Sequence, residues 1–332
     1  TEVWGGDDPG GPGGGHVHDH GNFGGHRACW IFNQDRQVWD RVADLQFETG
    51  AGKGGGRWYP TVITLPSGDL AAFDGHPSRL SEEWHENDIP ERYWAGANTW
   101  TWYPNALPFE HSTLPGNWYP RGNLVTGGDI FFTSRHNNKC RLFDPNTGTL
   151  DPVEIDPPGG MYNSGWNYAT IALPMLPGDG YRSRIMALND RLDPPNSGVG
   201  PRFIDLDLSA GTPSWQDAGT RESPIGTKRR VFSCPVYLPT GQIFVSGGIN
   251  GSDDDDAVKE PEIFTPNIDW GTRQYSAGDI GTWQTINEPA QKARNYHSVA
   301  LLLPDGSVFV SGSNIDGDSG DPATVAQRNI EI

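Results

Sequence analysis

Short apolar runs separated by Gly- and Pro-containing turns dominate the chain, and four segments repeat one such pattern. Each segment has an aromatic or apolar run, a two-residue turn that ends in Gly, and a second run of β-branched and aromatic residues. The segments are 57–75, 118–134, 230–248 and 294–312, with turns at Ser67-Gly68, Gly127-Gly128, Thr240-Gly241 and Asp305-Gly306. Alternating runs around a turn of this kind are a strong signal for a β-hairpin, so the pattern predicts four hairpins.

The spacing of these hairpins predicts a repeat architecture. Their turn glycines are 60, 113 and 65 residues apart, and a weaker copy with a longer turn fills the middle gap at 162–190. A second kind of strand pair lies at 29–39, 141–150 and 262–271, the last with a partner strand around Trp283. Two hairpins together make a four-stranded antiparallel sheet, and a period of about 50–60 residues is typical of kelch-like blades.

We therefore predict an all-β fold, a kelch-like β-propeller of about six to seven four-stranded blades with incomplete terminal blades. Residues 1–45 are a partial first blade with a Gly/His-rich loop, and residues 46–332 are the remaining blades of the same domain. A β-sandwich with coincidental turns is the alternative, and five in-phase copies argue against it. The chain reads as trimmed at both ends, so we expect a further domain or chain to complete the propeller.

Composition supports this interpretation and excludes some partners. Aromatic residues make up 11% of the chain beside 44 Gly and 28 Pro, which suits many short strands joined by tight turns. The net charge of −18 argues against binding to nucleic acid or to anionic membranes, and no apolar run reaches transmembrane length. We expect an acidic extracellular or cell-surface protein. Its three cysteines define no disulfide framework.

One position of the repeat collects chemically active side chains. The residue eight places before the first turn residue is Tyr59, Tyr119, Phe232 or His297 in the four hairpins. Blades are related by rotation, so these side chains are expected to converge on the axial opening. Tyr296, next to His297, is expected on the other side of the strand. The alternative is that these aromatic rings only fill the channel.

The motifs RWYPTVITLPSGD, RLFDPNTGT and RNYHSVALLLPDGSVFVSG resemble the galactose oxidase and glyoxal oxidase group of copper-radical oxidases, most closely their bacterial kelch-like relatives. The resemblance implies that Tyr59 is the crosslinked radical tyrosine, Tyr296 the axial tyrosine and base, and His297 a copper ligand. It also implies oxidation of a primary alcohol or aldehyde by O₂ to give H₂O₂. The group's crosslinking cysteine hairpin and its C-terminal sandwich domain with the second histidine have no counterpart in this sequence. His76, Tyr119 and Phe232 are candidates for shielding the site or contacting substrate.

Two further patterns favour metals. The alternating His16, His18 and His20 are a second candidate metal site, with a flexible loop as the alternative. The spacing of Asp316, Asp318 and Asp321 resembles a calcium loop, with a solvated loop as the alternative. A non-catalytic kelch propeller that binds glycan or protein, or serves in an extracellular assembly, is the competing functional hypothesis.

Overall fold

The regular secondary structure in the described part of the chain is almost entirely β-strand. The computed structural model describes residues 25–48, 53–57, 59–75, 87, 89–103, 120–133, 139–158, 168–188, 200–222, 225, 230–250, 256–313 and 330–332. These residues form 24 strands and two short 3-10 helices, and they divide into two compact units on either side of the Ile155–Asp156 bond. Among them there is no helix with the length and apolarity needed to cross a membrane.

The first unit contains two four-stranded antiparallel sheets and two smaller ones. The small pairs are β1 (Cys29–Asn33) with β2 (Val38–Val42), and β3 (Phe47–Glu48) with β4 (Lys53–Gly54). One large sheet has the order β5 (Thr61–Thr64), β6 (Leu70–Phe73), β7 (Glu91–Trp94) and β8 (Thr99–Trp102). The other has β9 (Arg121–Leu124), β10 (Ile130–Thr133), β11 (Arg141–Asp144) and β12 (Thr149–Leu150) in the same order.

The second unit repeats this plan. One sheet has the order β13 (Thr170–Ala172), β14 (Arg184–Ala187), β15 (Arg202–Asp205) and β16 (Trp215–Asp217). The next places β17 (Cys234–Tyr237), β18 (Ile243–Ser246) and β19 (Glu262–Pro266) before β22 (Gly281–Thr285), with the hairpin β20 (Ile268–Asp269) and β21 (Gln274–Tyr275) inserted between the last two. A final pair joins β23 (Ser298–Leu302) to β24 (Val308–Gly312). The 3-10 helices are Pro177–Asp179 and Leu208–Ala210.

The second strand of each large sheet carries the core. β6, β10 and β14 are buried along their whole length, because their side chains on both faces meet apolar neighbours. In the first unit the rings of Phe73, Phe132 and Phe143 join sheet β5–β8 to sheet β9–β12, with centroids 4.8 and 5.2 Å from Phe73. In the second unit Met186 packs in one cluster with Phe264 and Trp283 of the following sheet. Sheets packed face to face in this way are typical of neighbouring propeller blades.

The predicted hairpin turns are confirmed. Gly68, Gly128, Gly241 and Gly306 have φ of 84°, 98°, 82° and 88°, a region that glycine enters without steric cost. The weaker copy at 162–190 is also a hairpin, β13–β14, whose longer connection holds the 3-10 helix Pro177–Asp179. The division of the chain at residue 45 stays a prediction.

Candidate functional site

The repeat position singled out in the sequence has one backbone conformation wherever the structure describes it. Tyr59, Phe232 and His297 have φ of 62°, 62° and 63°, in the left-handed region that non-glycine residues seldom occupy. Each lies just before the first strand of its sheet, at Thr61, Cys234 and Ser298. Such a conformation costs about 1–3 kcal/mol and persists only where the surrounding structure enforces it.

A second left-handed segment faces this position across each hairpin. It is a pair of residues that follows or ends the second strand: Asp74-Gly75, Gly247-Gly248 and Gly312-Ser313, all with positive φ. Gly312 shows how close the two segments are, because a Cβ there would stand 2.5 Å from the His297 carbonyl oxygen. The two left-handed segments are therefore packed against each other at the open end of the hairpin.

In the sheet β5–β8 a buried arginine connects these left-handed segments. Arg57, two residues before Tyr59, is fully buried and donates from Nη1 to the carbonyls of Asp74 at 2.8 Å and Asn87 at 2.9 Å. Its Nη2 donates to Oε1 of the buried Glu91, the first residue of β7, at 2.9 Å, and also to the Ile89 carbonyl. Burial raises the pKa of Glu91, and the Arg57 cation opposes that rise. We call this arrangement the Arg–Glu clamp.

The clamp recurs in the second unit. Arg230 donates from Nε to the Gly247 carbonyl at 2.7 Å and from Nη1 to Oε2 of Glu262, the first residue of β19, at 2.6 Å. Arg294 donates to the Gly312 carbonyl at 2.7 Å and to Oε1 of Glu331 at 2.8 Å. In the first two copies the arginine connects the left-handed residue after the second strand to a carboxylate that opens the third strand. In the last copy it connects Gly312, which ends β24, to Glu331, which pairs with Val310 in an isolated bridge.

The clamp at Glu262 carries extra positive charge. Arg221 lies 3.3 Å from Oε1 of the same carboxylate, and all three side chains are fully buried. Burial lowers the pKa of Arg221 to about 10 and also lowers the pKa of Arg230, since desolvation disfavours the cation. A buried charge group of this kind is rigid, because removal of one member leaves the others unpaired.

Three candidate residues of the second unit are in contact. The Phe232 ring lies 5.2 Å from the Tyr296 ring, and the Tyr296 and His297 rings stack with centroids 3.8 Å apart. The expectation that Tyr296 and His297 lie on opposite sides of a strand is therefore wrong. The strand begins only at Ser298, and the left-handed φ of His297 removes the alternation of side chains that an extended strand imposes.

These residues are open to solvent. The side chains of Tyr59, Phe232 and Tyr296 are half-buried, and His297 is exposed. A phenol or imidazole that is partly in water can reach a metal ion or a substrate, whereas the core rings Phe73 and Phe264 cannot. The arrangement thus presents one phenol of the first unit, and one phenol with one imidazole of the second.

The three cysteines form no disulfide, and one of them, Cys234, lies next to the repeat position. Cys29 and Cys140 are buried, and burial raises the pKa of Cys29 to about 11. Cys234, half-buried in β17, lies 3.6 Å from the carbonyl and hydroxyl oxygens of Ser298, and burial raises its pKa as well. A thiol with a raised pKa is a poor nucleophile, so these cysteines are structural.

Several predicted site residues lie outside the described part of the chain. They are His16, His18, His20, His76, Tyr119, Asp316, Asp318 and Asp321. Among the residues that are described, His, Cys, Asp and Glu side chains form no group of three suited to a metal ion. The second metal site and the calcium loop stay predictions.

Known proteins place this arrangement in context. No protein-family profile matches the chain. It is 28% identical over 283 residues to aldehyde oxidase GLOX1 of Arabidopsis thaliana, an alignment that covers 78% of this chain and 41% of the relative. Over 92 residues it is 36% identical to galactose oxidase of Gibberella zeae, which covers 27% of this chain and 12% of that enzyme. The chain is galactose-oxidase-like.

A solved structure agrees with the fold of this galactose-oxidase-like chain. A fungal alcohol oxidase of the AA5 family, solved in complex with copper, superposes with a TM-score of 0.59 at 18% identity, covering 88% of this chain and 55% of that one. The chain therefore has a β-propeller fold built from four-stranded sheets. It spans less than half the length of both the plant and the fungal relatives that it matches in sequence.

Sequence analysis missed the Arg–Glu clamps, although it quoted their arginines. Arg57 and Arg230 stand two residues before the repeat position, and Arg294 three residues before it. The signal that could have revealed two of the clamps is a glutamate at the start of the third strand, as in Glu91-Arg-Tyr and Glu262-Ile-Phe. A charged residue that opens a buried strand needs a partner of opposite charge.

Proposed function

We propose that this chain is the propeller part of a copper-radical oxidase that acts outside the cell on a primary alcohol or an aldehyde. For an alcohol the reaction is RCH₂OH + O₂ → RCHO + H₂O₂, in which two electrons and two protons pass from substrate to oxygen. The observation that carries the proposal is that Tyr59 and His297 occupy equivalent strained, solvent-accessible positions of their repeats, with the Tyr296 ring stacked on His297. The named oxidases among its relatives support it.

The donor types suit copper. Phenolate and imidazole are ligands that Cu(II) accepts, and Tyr59, Tyr296 and His297 supply two phenols and one imidazole. Bound copper, together with an oxidised tyrosine ring, would supply the two one-electron steps that alcohol oxidation needs. The assignment of these ligands rests on residue type, repeat position and backbone conformation, which agree in the two units.

The chain's own residues would handle the proton. The Tyr296 phenolate oxygen is the candidate general base for the substrate hydroxyl, because a phenolate is basic enough to take that proton. The stacked His297 ring limits the rotation of Tyr296 on one side, and the Phe232 ring does so on another.

The test is oxidase activity of the complete gene product loaded with copper in air. We expect alcohol- or aldehyde-dependent H₂O₂ in a peroxidase-coupled assay, together with visible and near-infrared absorption from a tyrosyl radical. Tyr59→Phe should abolish the radical absorption and lower kcat at least 100-fold, since it removes the phenol whose oxidised ring would take one of the two electrons from the substrate.

Tyr237→Phe is the matched control, because Tyr237 is a partly exposed tyrosine within β17 and outside the repeat position. It should retain both the radical absorption and the activity. Absence of peroxide and of the radical band in the copper-loaded wild-type protein would overturn the proposal. Glycan binding that is indifferent to copper would then favour the non-catalytic alternative.

A further inference from the structure

The Arg–Glu clamp occurs next to three positions that share one backbone conformation but carry side chains of different chemistry. Tyr59 follows Arg57, Phe232 follows Arg230, and Tyr296 with His297 follows Arg294. Only the first and third are candidate copper ligands, whereas Phe232 has no donor atom. The Arg230 clamp is therefore an internal control. It shows what a clamp contributes to folding at a position that carries no candidate metal ligand.

Arg57 holds the chain at a place that bears directly on Tyr59. Its guanidinium contacts the carbonyls of Asp74, Asn87 and Ile89 as well as Glu91, so one side chain ties the approach to Tyr59 to the end of β6 and to the stretch that leads into β7. On the other side of Tyr59, the Thr61 hydroxyl donates to the Pro120 carbonyl at 2.7 Å, and Thr61 pairs with Phe73 in the sheet. The left-handed residue thus lies between two fixed points only four residues apart.

The fork geometry of arginine is needed for this role. Three carbonyls and a carboxylate surround the guanidinium at distances from 2.8 to 3.3 Å, apart from the shorter contact to Ile89. A lysine ammonium presents its donors from a single nitrogen atom and cannot reach partners on several sides at once. Loss of some of these bonds would weaken the hold on Tyr59 and lower the cost of leaving its strained conformation, because such a conformation persists only where the surrounding structure enforces it.

We propose that Arg57, fixed by Glu91, is a positioning residue for Tyr59. It holds the Tyr59 backbone in the left-handed conformation and thereby fixes the direction in which the phenol is presented to copper. Arg294 has the same role for Tyr296 and His297. Arg230 precedes a residue with no donor atom, so it serves folding and touches the Tyr296 ring through Phe232. The copper part of this inference rests on the proposed function, whereas the effect on the Tyr59 ring does not.

The experiment compares Arg57→Lys, Arg294→Lys and Arg230→Lys in the complete chain labelled with ¹³C at the tyrosine rings. The signals of Tyr59 and Tyr296 are assigned in the copper-free protein by their absence from Tyr59→Phe and Tyr296→Phe. We expect Arg57→Lys to shift or broaden the Tyr59 signal and leave Tyr296 unchanged, and Arg294→Lys to do the reverse. Arg230→Lys should leave the Tyr59 signal in place while it lowers the thermal midpoint.

Copper titration is the second readout. Arg57→Lys should weaken Cu(II) binding at least 10-fold and shift the phenolate-to-copper absorption band, while Arg230→Lys should change the affinity less than 2-fold. If Arg57→Lys does not fold, Glu91→Gln takes its place, because the amide oxygen can still accept from Arg57 while the charge and the acceptor for the Gln46 amide are lost.

The two proposals fail in different ways. If wild-type protein shows no copper-dependent band, the oxidase proposal fails while the ring signals still report on positioning. If the Tyr59 signal is the same in Arg57→Lys as in the wild type, or if Arg230→Lys moves it equally, the positioning role is wrong. A Tyr59 signal that moves only when its own clamp is altered supports that role.

Discussion

Several of the non-glycine residues with left-handed φ lie at the repeat position or opposite it across the hairpin. Tyr59 and His297 share their φ with Phe232, and each is opposed by a second left-handed pair across the hairpin. Sequence position alone identified these three residues. Their conformation could not be predicted from residue type, because tyrosine, phenylalanine and histidine all disfavour positive φ. It comes from the clamps and from the close approach of the second left-handed pair, both of which depend on contacts distant in sequence.

The close approach predicts different outcomes for two glycines. A Cβ at Gly247, where φ is 65°, would stand 2.2 Å from the Arg294 carbonyl oxygen, whereas a Cβ at Gly127, where φ is 96°, would meet nothing within 4 Å. Gly127→Ala should cost only the strain of the left-handed region, about 1–2 kcal/mol. Gly247→Ala adds a backbone clash and should cost about 2–5 kcal/mol in total.

Urea denaturation monitored by tryptophan fluorescence measures both effects. The Gly247→Ala midpoint should fall clearly below that of Gly127→Ala. Equal midpoints would mean that the Arg294 backbone relaxes freely, and the opposed left-handed segments would then not be a rigid unit.

At the scale of elements, the hairpins whose two strands are joined by a short turn could be predicted from the sequence. A hairpin that depends on contacts distant in sequence could not. The hairpins β5–β6, β9–β10, β17–β18 and β23–β24 follow from alternating runs and a terminal Gly. The hairpin β20–β21, which lies between the strand pair predicted at 262–271 and its partner strand at Trp283, did not follow from the sequence pattern. It is held instead by the second unit's own 3-10 helix: Gly178 donates to the Arg273 carbonyl at 2.8 Å, and Tyr275 to the Pro174 carbonyl at 3.2 Å.

A buried carboxylate ties the inner hairpin to the outer hairpin in the first unit. Asp69, next to β6, accepts from Arg92 Nη2 at 2.6 Å and from the Ala95 amide at 3.0 Å. Burial alone would raise the pKa of Asp69, but the hydrogen bonds from Arg92, Ala95 and Ser67 outweigh it and lower the pKa below the ordinary 3.8. A lowered pKa means that the folded state binds the proton more weakly than the unfolded state, so this stabilisation is complete above the ordinary pKa.

The stabilisation should therefore disappear as the pH falls through the lowered pKa of Asp69. We expect Asp69→Asn to be less stable than the wild type by about 2–4 kcal/mol at pH 6, because Arg92 loses its buried partner. The difference between the two thermal midpoints should shrink below about pH 4. A difference that is the same at pH 3 and pH 6 would show that the carboxylate charge has no part in it.

At the scale of the whole molecule, composition and repeat spacing gave the fold class, and comparison with known proteins agrees with it. The candidate ligands were also accessible from sequence, as repeat positions and as motifs. The orientation of Tyr296 was not, because a rule for strands was applied to a residue that precedes the strand.

The net charge of −18 predicts a response to salt. Mutual repulsion among 42 acidic side chains against 24 basic ones opposes the compact state, and added ions screen it. The thermal midpoint should rise by a few degrees between about 20 and about 300 mM NaCl. A midpoint that stays constant or falls would show that attractive ion pairs dominate instead.

Calcium chloride at matched ionic strength is the informative control for this measurement. If charge screening alone is responsible, calcium chloride gives the same thermal midpoint as NaCl. An additional rise that a chelator reverses would support the calcium loop predicted at Asp316, Asp318 and Asp321.

The shared left-handed position also has a consequence for how such a protein can change over evolutionary time. Because neighbouring repeats impose one backbone on Tyr59, Phe232 and His297, the conformational cost has already been met before any particular side chain is chosen. A single codon change at one of these places exchanges a hydrocarbon ring for a phenol or an imidazole without rebuilding the loop around it. Duplicated repeats in which the backbone is conserved and one side chain is free to vary allow new chemistry to arise stepwise from a scaffold that already folds.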